Sequence, residues 1–324
     1  MKRSSKRLTH RLAKLSIGAC ALSCASACYF FYSVILRKPE KPRRHLRPLS
    51  DMQKDHLQKR EDALAWLETM GPETIHITSK DGLGLTGHFL PAAVPTDKTI
   101  LAIHGYRSNG RKEYAVFARF YHELGYNLLM PDDRAHGESE GRYIGFGWLD
   151  REDCKQWIAW LKQRFGPDAQ VLLHGISMGA ATVLMAAGDG LDPAVKGVIA
   201  DCSYSGVWDE FAYQAKHSFH IPCFPVLSLA NLISRAIAGY DYKTASVKEQ
   251  TKKIKVPVLF IHGTKDTYVP TAMVHELFAA CRAPKHLLLV NGAVHADSYL
   301  TDTPAYEAAV AAHLERCGMS AQKI

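Results

Sequence analysis

A chain of 324 residues with 47% hydrophobic composition can bury a sizeable core, which excludes a disordered protein. The formal net charge of +8 is concentrated at one end, because residues 1–47 carry 12 of the 40 Lys and Arg and one of the 32 acidic residues. The rest of the chain holds 28 basic and 31 acidic side chains. Its composition therefore gives no reason to expect nucleic-acid binding.

An uncharged stretch of 22 residues, LSIGACALSCASACYFFYSVIL, occupies positions 15–36. A helix of this length extends about 33 Å, which is enough to cross a hydrocarbon core of about 30 Å. We expect an uncleaved membrane anchor that contacts the lipid bilayer. A buried soluble helix is one alternative, and a signal peptide cleaved after Ala27, with Cys28 as a lipoprotein site, is another. The uncharged residues that follow Cys28 favour the anchor.

The anchor predicts a single-pass protein of the cell membrane. Its basic flanks are nearly equal, with six Lys and Arg in 2–14 and six in 37–47, so charge alone does not fix the orientation. We expect the large C-terminal part to be extracellular, with secretion after signal cleavage as the alternative.

Four regions follow from this division: a basic tail at 1–14, the anchor at 15–36, a Pro-rich basic linker at 37–49 and a large globular domain at 50–324. Ser50 and Gln53 have the spacing of a capping box, which predicts a helix that starts there. Three cysteines lie in the anchor. The other five are scattered without metal-type spacing and are predicted to be separate buried thiols. Disulfide pairing of some of them in an exported domain is the alternative.

Short apolar runs alternate with amphipathic helical patterns in the domain. Two runs flanking Asp81-Gly82 predict an antiparallel hairpin, and the later runs are apolar throughout, as in strands covered on both faces. This βαβα order predicts an α/β fold with a doubly wound, mostly parallel sheet. The predicted strands are 73–79, 85–91, 99–105, 126–132, 170–175, 197–202, 256–263 and 286–292.

One connection, about 203–255, is much longer than a crossover needs. It is rich in aromatic residues and is predicted to be a helical lid over the carboxyl edge of the sheet, where open α/β folds bind ligands. Five aromatic residues are candidates for the substrate pocket and equally for the core of the lid: Trp208, Phe211, Tyr213, Phe219 and Phe224.

A serine between two glycines, in LLHGISMGAA at 172–181, follows one predicted strand and precedes a helix. Gly175 and Gly179 would allow the sharp turn that raises the hydroxyl of Ser177 above the sheet. A serine needs a histidine to accept its proton and a carboxylate to orient that histidine. Asp266 and His295 follow the next-to-last and last predicted strands. Asp201, also at a strand end, is the alternative acid.

Five motifs together resemble the α/β-hydrolase superfamily, and in particular its lidded branch of serine aminopeptidase and monoglyceride lipase type, including bacterial membrane-anchored members. They are HGISMG, GTKDTYVP, GAVHADSY, IHGYRSNG and DDRAHGESEG, and the likeness covers roughly 73–315. Ala135 stands where the family's usual Gly-His-Gly pattern has its first glycine.

This resemblance implies a role for each residue. Ser177 would be the nucleophile, His295 the general base and then acid, and Asp266 the residue that orients the imidazole. The backbone N–H groups of Tyr106 and Met178 would form the oxyanion hole. His136 is predicted to be structural, close enough to the site to help order it.

These residues predict a serine hydrolase that cleaves small to medium acyl or aryl esters. An aminopeptidase or amidase is the alternative, in which Asp209 and Glu210 would bind a free amine if they are not simply exposed to solvent. A non-catalytic scaffold is a third reading. We predict no cofactor and no metal, since neither a metal constellation nor a phosphate-binding glycine loop follows a strand.

Overall fold

The computed structural model describes residues 2–39 and 50–320, the side chains of 2–13 and 15 excepted. Among these residues, eight strands form one sheet. The strands are β1 Glu73–Thr78, β2 Gly84–Leu90, β3 Lys98–Ile103, β4 Asn127–Pro131, β5 Gln170–Ile176, β6 Val195–Asp201, β7 Val258–Gly263 and β8 Lys285–Val290.

The strand order across the sheet is β1-β2-β4-β3-β5-β6-β7-β8. The first two strands pair antiparallel, as the hairpin signal predicts, and β2 is also antiparallel to β4. Strands β3 to β8 are all parallel to their neighbours. The predicted α/β fold with a doubly wound, mostly parallel sheet is therefore confirmed.

Helices cover both faces of the sheet, which explains why the parallel strands are apolar throughout. The first helix of the domain starts at the predicted capping box, in which Ser50 and Gln53 bond each other's backbone N–H. The helices are α1 Lys2–Val34, α2 Asp51–Thr69, α3 Gly110–Glu123, α4 Asp150–Phe165, α5 Met178–Gly188, α6 Val207–His217, α7 Ser228–Ile237, α8 Val247–Thr251, α9 Ala272–Ala280, α10 Ser298–Thr301 and α11 Thr303–Arg316.

The connection between β6 and β7 contains α6, an irregular turn at Cys223–Leu227, α7 and α8. We call residues 203–255 the lid segment. Its start lies beside the nucleophile turn, since Ser177 N–H donates to Asp201 O at the end of β6. The lid segment thus leaves the sheet at its carboxyl edge, the edge at which open α/β folds bind ligands.

Helix α1 joins the predicted basic tail and anchor in one continuous helix. Within the described chain its portion Ser16–Val34 is the one helix long and apolar enough to cross a membrane. Its last two turns pack on the domain: Ala27, Phe30 and Val34 are buried and lie beside α7. Arg37, the first residue of the predicted linker, donates to the carbonyls of Gly137 and Ser139. Linker residues 40–49 and the C-terminal 321–324 lie outside the described residues.

Candidate active site

The turn between β5 and α5 places Ser177 in a conformation that residues other than glycine rarely adopt, with φ 56° and ψ −113°. Both flanking glycines are required by space. A Cβ on Gly175 would lie 2.2 Å from the carbonyl oxygen of Gly179, and a Cβ on Gly179 would lie 2.0 Å from that of Ile103. The backbone strain at the serine is therefore held in place by close backbone contacts on both sides.

Ser177, His295 and Asp266 form one chain of hydrogen bonds. The Ser177 hydroxyl lies 2.9 Å from His295 Nε2, and His295 Nδ1 lies 2.7 Å from Asp266 Oδ2. Since the carboxylate accepts, Nδ1 carries the proton and Nε2 is free to accept the serine proton. This is the geometry of a serine–histidine–aspartate triad.

Asp266 is ionised despite its burial. Burial raises the pKa of its carboxyl, but hydrogen bonds from His262 and His295 outweigh that effect and leave the pKa at about 2. Its second oxygen, Oδ1, accepts the backbone N–H groups of Tyr268 and Val269, both at 2.9 Å. The carboxylate is thus fixed in orientation as well as in charge.

Asp201, the alternative acid, faces other partners. Its carboxylate accepts from the hydroxyls of Ser298 and Tyr306, at 3.3 and 3.2 Å, and its pKa is raised to about 7, chiefly by burial. No hydrogen bond joins it to His295 among the described residues. The structure therefore favours Asp266 over Asp201 as the partner of the histidine.

The loop after β3 brings Tyr106 beside Ser177 and Met178, and all three line one cavity. His136 supports this loop: its Nε2 accepts the backbone N–H of Arg107 at 3.1 Å, while its Nδ1 donates to Arg134 O. Burial, with help from the neighbouring His104, lowers the pKa of His136 to about 3, so the ring stays neutral and can accept. Its position agrees with the ordering role predicted from the sequence.

The cavity above Ser177 has a volume of about 250 Å³ and is mostly apolar. Of the aromatic candidates from the sequence, Phe211 and Phe219 line it, while Trp208, Tyr213 and Phe224 do not. Trp208 lies under the ammonium group of Lys243, and the Tyr213 hydroxyl donates to Thr267 O. The apolar wall also includes residues that sequence reasoning missed, namely Phe30, Val34 and Phe146.

Glu210 is buried at the cavity, not exposed as its place in a lid segment suggests. Gln214 donates to its Oε1 at 2.9 Å, whereas Oε2 is buried without a hydrogen-bond partner. Burial raises the pKa of this carboxyl to about 8. The expectation of a solvated carboxylate is wrong at this position, because α6 turns Glu210 inward. Asp209 accepts from the Ser205 hydroxyl instead.

One group of three metal-ligand side chains, Cys202, Asp266 and His295, has its ligand atoms within 4.8 Å of one another in the described part of the chain. Two of the three are members of the triad and already bond each other. Burial raises the pKa of the Cys202 thiol well above its ordinary value, which disfavours the thiolate that binds metals. We therefore interpret Asp266 and His295 as members of the triad and Cys202 as a buried thiol beside them.

Comparisons with known proteins agree with this geometry. A family model described as the alpha/beta hydrolase fold matches residues 98–220, and one described as serine hydrolase (FSH1) matches 231–295. The uncharacterized protein YfhR of Salmonella typhimurium is 30% identical over 237 residues, which cover 70% of this chain and 75% of that protein. The chain belongs to the α/β-hydrolase superfamily. Within it, the chain is of the serine-hydrolase type.

Other relatives extend the comparison. The uncharacterized protein YqkD of Bacillus subtilis is 29% identical over 261 residues, covering 81% of this chain and 85% of that protein. Lysophosphatidylserine lipase ABHD12 of Danio rerio is 27% identical over 195 residues, covering 58% of this chain and 48% of that protein. The solved Pyrococcus furiosus esterase Pf2001 shares the fold, with a TM-score of 0.62, 23% identity and coverage of 86% and 98%.

Proposed function

We propose that this α/β hydrolase cleaves carboxylic esters, with acyl or aryl groups of small to medium size, through an acyl-enzyme intermediate. The observation that carries the proposal is the hydrogen-bonded chain of Ser177, His295 and Asp266, whose serine lines a mostly apolar cavity. A relative named as a lysophosphatidylserine lipase supports an acyl ester as the substrate class.

Each bond-making step has a group in place for it. The Ser177 proton passes to His295 Nε2 while Oγ bonds to the ester carbonyl carbon, which gives a tetrahedral intermediate. When the C–O bond to the alcohol breaks, the imidazolium returns that proton to the departing oxygen. Water then attacks the acyl-enzyme, His295 takes its proton, and the carboxylic acid leaves as Ser177 regains a proton. Asp266 stabilises the imidazolium in both halves.

The developing oxyanion would be met by the backbone N–H groups of Tyr106 and Met178. Both residues line the cavity with Ser177, and Met178 is the first residue of α5, where the helix dipole also favours negative charge. One donor of this kind contributes about 3 kcal/mol to transition-state stabilisation.

The proposal includes an uncleaved, single-pass membrane anchor and an extracellular catalytic domain that lies against the membrane. Because Ala27 to Val34 pack on that domain, the span requires the exposed face of these turns to lie in lipid as well. Ala27, the residue before the possible cleavage site, is fully buried inside a continuous helix, so the folded, uncleaved chain uses this turn in its packing. Intact mass measurement of the protein from membranes tests this directly. We expect the full-length chain, and a mass that starts at Cys28, with or without lipid, would contradict it.

An aminopeptidase is the second candidate, because Glu210 lines the same cavity as Ser177 and its buried Oε2 has no hydrogen-bond partner. A substrate ammonium group could supply that partner and would favour ionisation of the carboxyl. In the free protein, the raised pKa of Glu210 makes this group neutral near pH 7, which disfavours attraction of a cation. We therefore prefer the ester.

The test compares a chain-length series of p-nitrophenyl esters with amino-acid p-nitroanilides, using the full-length protein in detergent. We expect kcat/KM for the best ester to exceed that for the best anilide. Higher anilide turnover would overturn the ester assignment in favour of the peptidase. Absence of turnover in both series would favour a non-catalytic scaffold. Ser177→Ala is the control for a contaminating hydrolase.

A further inference from the structure

The end of the anchor helix reaches the active site. Phe30, Ser33 and Val34 of α1 line the same cavity as Ser177, although they lie more than 140 positions earlier in the chain. Phe30 is 1% exposed, and its ring meets Phe211 and Phe219 of the lid segment edge-to-face at centroid distances of 5.4 and 5.3 Å. The two segments therefore share one aromatic contact.

The docking is specific in its polar contacts as well. The C-terminal carbonyls of a helix lack intrahelical partners, and here side chains of the loop after β3 supply them. Tyr106 OH donates to Val34 O at 2.9 Å, and the guanidinium of Arg107 donates to Ser33 O. Leu36 then pairs with Tyr143 as an antiparallel bridge. The loop that carries the proposed oxyanion donor Tyr106 is thus bonded to the end of the anchor.

Opposite sides of α1 differ sharply in this region. Phe30 and Val34 are buried and face the cavity, whereas Tyr29 and Tyr32 are 64% and 57% exposed. Exposed tyrosines at the end of an apolar helix are typical of the membrane–water interface. The buried face instead shows the i, i+4 pairing of a helix packed on protein. One helix end therefore serves both as an interfacial segment and as a cavity wall.

We infer that the last two turns of α1 and the lid segment together form an acyl-chain binding site, in which Phe30 limits the length of the chain attached to the ester carbonyl. This inference rests on the proposed esterase function and adds its substrate-binding residues. The ligand is a linear apolar acyl group, since the walls contributed by Phe30, Val34, Phe211 and Phe219 offer dispersion contacts and burial but no charge.

Two opposite substitutions test the site. Phe30→Ala removes a ring from the cavity wall and should raise kcat/KM for long-chain relative to butyrate p-nitrophenyl esters, by roughly tenfold. Ser33→Phe adds a ring to the same wall and should lower that ratio by a similar factor. Tyr29→Ala, a neighbour on the exposed face of the same helix, is the matched control and should leave the ratio unchanged.

Full-length proteins are assayed in the same detergent, and a fluorophosphonate probe measures the fraction with a reactive serine. A ratio of long-chain to butyrate kcat/KM that rises in Phe30→Ala and falls in Ser33→Phe supports the site. If Phe30→Ala does not fold, the test depends on Ser33→Phe, because this variant retains the packed rings of Phe30, Phe211 and Phe219. Wild-type ratios in labelled Ser33→Phe, or an equal shift in Tyr29→Ala, would overturn the inference. Failure of the wild-type protein to hydrolyse any ester would instead overturn the proposed function.

Discussion

The two sides of the active-site cavity are built in different ways. On the sheet side, close backbone turns and short hydrogen bonds fix Ser177, Asp266 and His295 after the ends of β5, β7 and β8. On the lid side, Phe30 and Phe211 meet through aromatic packing between segments far apart in sequence. We therefore expect the sheet side to determine which bond is cleaved and the lid side to determine which substrate fits. Substitutions on the two sides should have effects of different kind and size.

The largest effect is expected on the sheet side, from Asp266→Asn. An amide at this position donates to the histidine and favours the wrong tautomer, so kcat should fall about 10⁴-fold while the fold is retained. Asp201→Asn is the matched control, because Asp201 bonds Ser298 and Tyr306 instead of the histidine. Its kcat should fall less than about tenfold, and steady-state kinetics on one ester compare the two. Equal losses would contradict the assignment of the acid.

The next effect is on stability and concerns the turn. Gly179→Ala would place a Cβ 2.0 Å from the Ile103 carbonyl oxygen and should lower the free energy of unfolding by about 3 kcal/mol. Gly190→Ala, where φ is +87° but no atom lies within 4 Å, should cost only about 1 kcal/mol. Urea unfolding measures both. Equal losses of unfolding free energy in the two variants would contradict a destabilising contact at Gly179.

A smaller effect is expected on the lid side, from Phe211→Leu. Replacing this cavity-lining ring by a smaller apolar side chain should change kcat/KM for medium-chain esters by about 1 kcal/mol or less of transition-state binding, with fluorophosphonate labelling of Ser177 unchanged. Trp208→Leu is the control, since Trp208 packs against Lys243 outside the cavity. A loss of labelling in Phe211→Leu would show that the two sides are not separable.

A separate effect, on the pH dependence of stability, is expected at Glu210. A carboxyl with a pKa raised to about 8 stabilises the folded state fully below its unfolded pKa, and this contribution is lost as pH rises through 8. Glu210→Gln removes the titrating group, so its Tm relative to wild type should rise between pH 5 and pH 9, by roughly 2–4 °C for each kcal/mol. Thermal melts at both pH values check this. A pH-independent difference would contradict a buried, protonated Glu210.

The sheet side was largely predictable from the sequence, because its signals are local. A serine needs small neighbours to make its turn, and the residues at the ends of successive parallel strands necessarily meet at one edge of the sheet. Ser177, Asp266 and His295 could therefore be proposed from the glycine pattern and the strand ends, with Asp201 left as an alternative acid. The hairpin and the capping box at Ser50 likewise depend on adjacent residues.

The lid side was not predictable in the same way. Phe30 and Val34 belong to a segment whose hydrophobicity signals membrane insertion, and no local pattern indicates that one face of its last turns packs on the lid segment. The pattern WDE at 208–210 likewise does not reveal that α6 turns Glu210 inward. These placements depend on packing between segments that are distant in the chain, which hydrophobic periodicity does not report.

In the proposed function, Ser177 is the nucleophile and His295 activates it. The most direct test treats the full-length protein with a fluorophosphonate and locates the adduct by peptide mass spectrometry. We expect one adduct, on the peptide that contains Ser177. It should be absent from Ser177→Ala and should form much more slowly in Asp266→Asn. An unlabelled wild-type protein, or equal labelling of Ser177→Ala, would contradict it.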